Sequence, residues 1–265
     1  MKRILIMLTA IAVCSLSANA QLGKGLKNVG KTVGNAVGNA AAQVAEDMAA
    51  DATANTVANN IVTWMDSSNP VAADDSPYTL RLAGIVSPKF LTADGVALNY
   101  KVFLDEEINI LACANGSIRI YAGMMDALTD DEIAAVVATQ IGHIVKKDTR
   151  NSLMKVATGG NATNATTAQL DKMLSLSGSG LGTIVNELIQ IPYTEAQNNA
   201  ADKYAVALLK NNDIDPDALA TALEKFAVME ANDQQAANDE GLALSAANKY
   251  IRVNANNARR ATMIK

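Results

Sequence analysis

The stretch that decides the fold is TDDEIAAVVATQIGHIVKKD, Thr129 to Asp148. Thr129 with Glu132 three residues on is a capping box, in which each side chain satisfies a backbone N–H of the first helical turn. The spacing of Ile133, Val136, Val137, Ile141 and Ile144 then predicts a helix that turns an apolar face to a core and runs past His143. Gln140, seven residues after Ile133, falls on the same inward face. Thr139 and His143, four apart, lie one above the other.

The centre of this helix, Thr139-Gln140-Ile141-Gly142-His143, has the spacing of H-E-x-x-H but only its last residue. In that motif two histidines hold zinc and the glutamate serves as general base. Threonine is a poor zinc ligand, and glutamine cannot take a proton as a carboxylate does. Read alone, His143 is a core-edge histidine with hydrogen-bond partners.

Outward from this helix, the chain has 265 residues, enough for one compact domain with an appendage. Met1-Lys2-Arg3, the apolar run Ile4 to Val13, and Ala18-Asn19-Ala20 read as a signal peptide over residues 1–20, cleaved after Ala20. A lipoprotein reading on Cys14 is disfavoured by Val13, where a small residue is expected. Cleavage after Ala20 leaves Cys113 alone, so no internal disulfide forms, and we expect a buried thiol rather than a nucleophile. Removing Lys2 and Arg3 from the 22 basic residues leaves 20 against 27 acidic ones, a formal charge of −7. With no basic patch and 4% aromatic residues, nucleic acid is excluded as a partner.

Residues 21–65 are rich in Ala, Gly, Asn and Val and read as a leader helix, with Gly30, Gly34 and Gly38 forming a ridge of small residues. The intervening Asn and Lys are too polar to span lipid, although association with a membrane surface through this segment remains an option. Asn69-Pro70 and Asp74-Asp75-Ser76-Pro77 punctuate its end, and the domain is expected over residues 66–265. Tyr78 to Phe90 reads as a short helix. VALNYKVFLDEEINILACANGSIRIYAG reads as three strands, the last two joined at Asn115-Gly116. A Gly-, Asn-, Ser- and Thr-rich stretch from Thr158 to Gly182, around a short helical piece, reads as a mobile insertion. Further helices follow from about Thr194, from Asp215-Pro216, and over most of Leu242 to Lys265. The class is α+β, mostly helical with one small antiparallel sheet.

Several blocks, in order and at matching spacing, carry a resemblance. They include Asn69-Pro70-Val71-Ala72, Asn99-Tyr100-Lys101-Val102-Phe103, Ala114-Asn115-Gly116-Ser117-Ile118-Arg119-Ile120-Tyr121-Ala122-Gly123, Thr129 to Val145, Tyr193 to Asp202, and Leu223-Glu224-Lys225-Phe226. Over roughly residues 64 to 262 the chain resembles the M48 peptidases, in particular the LoiP-like, HtpX-related zinc metalloendopeptidases of the bacterial envelope. Asn254 to Arg260 is similar to the family's His-Pro-x-x-x-x-Arg segment without its His or Pro. The resemblance implies a zincin-like (gluzincin) fold.

It also implies a degenerate site. The family's first zinc histidine falls on Thr139, its general base on Gln140, its second histidine on His143 and its third ligand, a glutamate, on Asn198. Asp202 keeps the place of the aspartate that orients the first histidine. Zinc, the family cofactor, is therefore not expected here. Thr139, Gln140, His143, Asn198 and Asp202 are expected to close into a polar network, with the Thr139 hydroxyl on Asp202. Glu195, on roughly the same helix face, is the candidate substitute ligand. The strand Ser117, Ile118, Arg119, Ile120, Tyr121 is the expected edge of the old substrate groove. Three functions compete. The first is an exported pseudoprotease of the periplasm or envelope that binds a peptide or a partner protein, an active paralogue included. The second is an active zinc metalloendopeptidase that degrades misfolded envelope proteins. The third is a structural protein at the membrane surface.

Overall fold

The computed structural model describes residues 22–160, 165–240 and 256–265. The expected signal peptide and most of the expected helical tail lie outside them. The chain divides into two compact units, Met1–Met48 and Ala49–Lys265. Helix α1, Leu22–Ser68, supplies the described part of the first unit and opens the second. None of the helices among the described residues is long and apolar enough to cross a membrane.

The folded body thus begins at Ala49 rather than at residue 66. Ala50, Ala54, Val57, Ile61 and Met65 repeat at three and four residues and are all buried. These alanines and valines read as biased composition, yet a small side chain on a helical stripe buries as completely as a large one. The stripe packs with Phe103, Tyr121, Leu153, Met154 and Val185 in one apolar cluster.

After α1 come α2 (Pro77–Val86), the two-residue strands β1 (Thr92–Ala93) and β2 (Val96–Ala97), β3 (Asn99–Phe103), β4 (Ile110–Ala112) and β5 (Ser117–Tyr121). The helices α3 (Ala122–Ala127), α4 (Asp130–Val145), α5 (Asp148–Ala157), α6 (Thr167–Leu174), α7 (Ser179–Gln190), α8 (Glu195–Lys210), α9 (Asp217–Glu240) and α10 (Asn257–Ile264) follow. The architecture is α+β and mostly helical, as the sequence predicts. The expected mobile insertion is helical over α6 and the start of α7, where Leu170, Met173 and Leu181 are buried.

The main sheet has the order β3-β5-β4. The β4–β5 hairpin is antiparallel as expected, but β3 runs parallel to β5, from Asn99 beside Ser117 to Phe103 beside Tyr121. The expectation of an all-antiparallel sheet is corrected on this point. All five residues of β5 are buried, so the strand takes the centre and needs a partner on each side. Its two faces serve two cores. Ile118 and Ile120 join the cluster around α4, while Tyr121 joins the cluster that includes α1.

Arg119, 1% exposed, lies on the α1 side of β5. Its Nε and Nη2 donate to the two oxygens of Asp66 at 2.7 and 3.0 Å, and Nη1 donates to Asn99 Oδ1 at 2.9 Å. Burial opposes ionisation of Asp66, but hydrogen bonds from Arg119 and Lys101 outweigh it and hold the carboxyl below the usual carboxylate range.

Helix α4 carries the capping box read from the sequence, with Thr129 N–H donating to Glu132 Oε2 at 2.8 Å. Every residue from Glu132 to Ile144 is buried, so α4 is enclosed on all sides rather than on one face. It packs most extensively against α8. There a Cβ on Gly142 would stand 2.8 Å from Ala201 O and 2.9 Å from Ala201 Cα, and backbone cannot yield as a side chain would.

Gly142→Ala is therefore expected to destabilise the fold by about 1–3 kcal/mol, the usual cost of overpacking, as measured by urea unfolding followed by circular dichroism. A second expectation concerns pH. A carboxyl with a folded-state pKa below its unfolded value adds stability above about pH 4 and loses it as the pH falls through the folded value. The melting temperature should fall on acidification below that point, and Asp66→Asn should show a shallower fall.

Candidate functional site

Thr139, Gln140 and His143 from α4 and Asn198 and Asp202 from α8 are all buried. Thr139 and Asp202 turn to partners other than each other. The Thr139 hydroxyl donates back to Ala135 O at 3.3 Å. Both oxygens of Asp202 go to Arg260 of α10, from Nη2 at 2.7 Å and Nε at 2.8 Å. The expected contact between Thr139 and Asp202 is thus replaced. A guanidinium offers a carboxylate two parallel charge-assisted hydrogen bonds where a hydroxyl offers one.

His143 belongs to a second group. Burial lowers its pKa, and the neighbouring Asp148 only partly offsets this, so the imidazole is held neutral. Its Nδ1 lies 2.9 Å from Asp148 Oδ2, and facing a carboxylate that nitrogen carries the proton. The other Asp148 oxygen accepts from Gln197 Nε2 at 2.8 Å. The Tyr193 ring stacks on the imidazole at 3.7 Å and 15°. Asn198 Nδ2 donates to Tyr193 O at 3.4 Å, while its Oδ1 is buried without a hydrogen-bond partner among the described residues.

The sequence reading missed Asp148, Tyr193 and Gln197. Asp148 stands five residues after His143, just past the helix end, where the next turn brings it back. Tyr193 lay within a block already singled out, with nothing to mark its ring as the cover of the histidine. Arg260 was noticed as the one residue kept from the tail segment, without a partner to assign it.

Glu195 does not join the site. It pairs with Arg259 at 2.8 Å on the surface, with its side chain 46% exposed. The edge strand is also corrected. Ser117–Tyr121 is the central strand, and β4 is the strand beside the site. A cavity of about 100 Å³ lies along β4, walled by Ile61, Leu153, Val185 and Leu188, with Gln140 and Tyr193 also in its lining. Cys113 lines it too, its thiol pushed up to about 11 by burial, and so stays protonated as an apolar wall rather than a nucleophile.

Among the described residues, no strand pairs with the outer edge of β4. Tyr121 N–H donates to Asn109 O at 3.1 Å, and Cys113 N–H donates to Ser117 O at 2.9 Å. By the alternation of an antiparallel pair, the N–H and C=O groups of Ile110 and Ala112 point away from β5. The far edge of β3 is covered instead. There Ala72 N–H donates to Val102 O and Leu104 N–H donates to Pro70 O.

A zinc ion needs three protein ligands, and the matching positions offer a hydroxyl, one imidazole and a neutral amide. No cluster of three His, Cys, Asp or Glu side chains able to hold a metal ion occurs among the described residues. The donor set does not fit zinc. Without a carboxylate at position 140, the site also lacks the base that metal-assisted hydrolysis requires.

The model for peptidase family M48 matches residues 90–256. The chain is 35% identical over 189 residues to the metalloprotease LoiP of Escherichia coli (strain K12), covering 71% of this chain and 75% of that protein. It is 31% identical over 175 residues to the metalloprotease YcaL of the same organism, covering 66% and 69%. The family model spans both α4 and α8, and on the strength of these matches the chain belongs to peptidase family M48.

Proposed function

We propose that this chain is an exported M48 protein of the periplasm or cell envelope that has lost zinc-dependent hydrolysis and works by binding. An extended segment of a peptide or a partner protein, an active paralogue among the candidates, pairs with the open edge of β4 beside the emptied metal site. The observation that carries this reading is the donor set, in which Thr139, Gln140 and Asn198 are neutral and Asp202 is committed to Arg260. Losing one ligand removes kilocalories from a zinc binding energy of about 10–16 kcal/mol, and here two are gone. Replacing the base with Gln140 removes about a further 10²–10⁴-fold in rate.

Export is supported by the pattern of residues 1–20. Attachment to a membrane surface through the leader falls to the segment before Ala49, because α1 from that residue on belongs to the folded body.

The test is metal content. After purification without chelator, elemental analysis should find zinc far below one equivalent and no difference between the wild type and His143→Ala. The melting temperature should not change with EDTA. About one zinc per chain that disappears in His143→Ala would overturn the proposal and favour an active peptidase.

A further inference from the structure

Helix α1 begins well before the folded body does. From Gly38 to Ala49 every residue is exposed, and a Cβ on Gly38 would meet open space. Among these residues Val44 and Met48 are 58% and 69% exposed, two large apolar side chains four apart on one helix face. By helical spacing the same face continues toward the start of α1, where Leu22, Leu26, Val29, Val33 and Val37 recur at three and four residues.

Charge is sorted along the same helix. Lys24, Lys27 and Lys31 also recur at three and four residues, on the opposite face, and residues 21–45 contain no Asp or Glu. Taking Lys2, Arg3 and these three lysines from the 22 basic residues leaves 17 against all 27 acidic ones, a formal charge of −10 over residues 46–265. The only positively charged stretch of the mature chain is therefore the one that also carries an uncovered apolar face.

Five glycines fall between Leu22 and Gly38, and glycine is a weak helix former. A helix of this composition gains little in water and is stabilised when its apolar face is covered. A second copy of the helix would cover that face, but it would bring lysines toward lysines with no acidic residue in residues 21–45 to pair them. An anionic lipid surface covers the face and supplies the negative charge from its headgroups. None of the described helices is long and apolar enough to cross a membrane, so the helix lies along the surface instead of spanning it.

We infer that residues 22–48 of α1 form an interfacial helix that docks on an anionic lipid surface, with its Leu and Val face toward the acyl chains and its three lysines at the phosphate headgroups. The inference rests on the reading that the leader, and not the folded body, makes the membrane attachment. It is independent of metal content, because every residue of the candidate site lies beyond this segment.

The test uses residues 21–265, which lack Cys14 and so carry no lipid of their own. The protein is sedimented with vesicles of phosphatidylcholine, either alone or with phosphatidylglycerol as a third of the lipid. Binding to the anionic vesicles should be at least about ten-fold tighter than to the neutral ones and should weaken as salt is raised. Replacing the lysines together, as Lys24→Gln, Lys27→Gln and Lys31→Gln, should remove that preference. Leu26→Ser with Val33→Ser should reduce binding to both kinds of vesicle.

Both variants should keep the wild-type melting temperature, because the substitutions lie before the folded body that starts at Ala49. Equal binding to the two kinds of vesicle, or undiminished binding by the lysine variant, would overturn the inference. Absence of binding to either kind would overturn it as well, and a dimer in sedimentation velocity that Leu26→Ser with Val33→Ser abolishes would assign the face to a second copy. Each of these failures leaves the proposed loss of hydrolysis standing, since that is read from zinc content alone.

Discussion

The approach of α4 to α8 at Gly142 and Ala201 is the constraint on which the site depends. Only a glycine on α4 allows the two backbones to come this close, and the closeness brings residues 139–143 against residues 198–202. The rest of α4 is enclosed by the sheet, α2, α8 and α9 in a continuous apolar cluster. Thr139, Gln140, His143, Asn198 and Asp202 are all buried within this packing.

What remains at the centre is electrostatically resolved. Taking a divalent cation from between a histidine and carboxylates would leave buried negative charge, which is costly without a partner. Here Asn198 is neutral, Asp202 is matched by Arg260, and Asp148 is shared between His143 and Gln197. The guanidinium of Arg260 supplies positive charge from α10, a separate element near the end of the chain. Helices α8 and α10 are therefore joined through the Asp202–Arg260 pair.

Much of this was legible in the sequence, and the failures share a cause. Thr129 with Glu132 announces a helix start because the cap is local, and the spacing of α4 reveals its inward residues for the same reason. Residues 139, 140, 143, 198 and 202 could be singled out because a family pattern marks their positions. Strand order was not legible, since Asn99–Phe103 looks the same whether it pairs with β4 or with β5. The partners of Asp202 and His143 were not legible either, because Arg260 and Tyr193 reach them through space. The burial of Ala50, Ala54 and Val57 was hidden by composition, since a stripe of alanines shows little contrast with its surroundings.

Arg119 has a consequence for the accuracy of the sheet. Its neighbours Ile118 and Ile120 face the core around α4, while its guanidinium meets Asp66 and Asn99 on the opposite side. A slip of β5 by one residue would exchange the two faces and drive an unpaired guanidinium into that apolar core. The buried charge thus acts as a proofreading element for strand register. Because β4 is registered on β5, with Leu111 opposite Arg119, the same check fixes which backbone groups of β4 are displayed at the open edge.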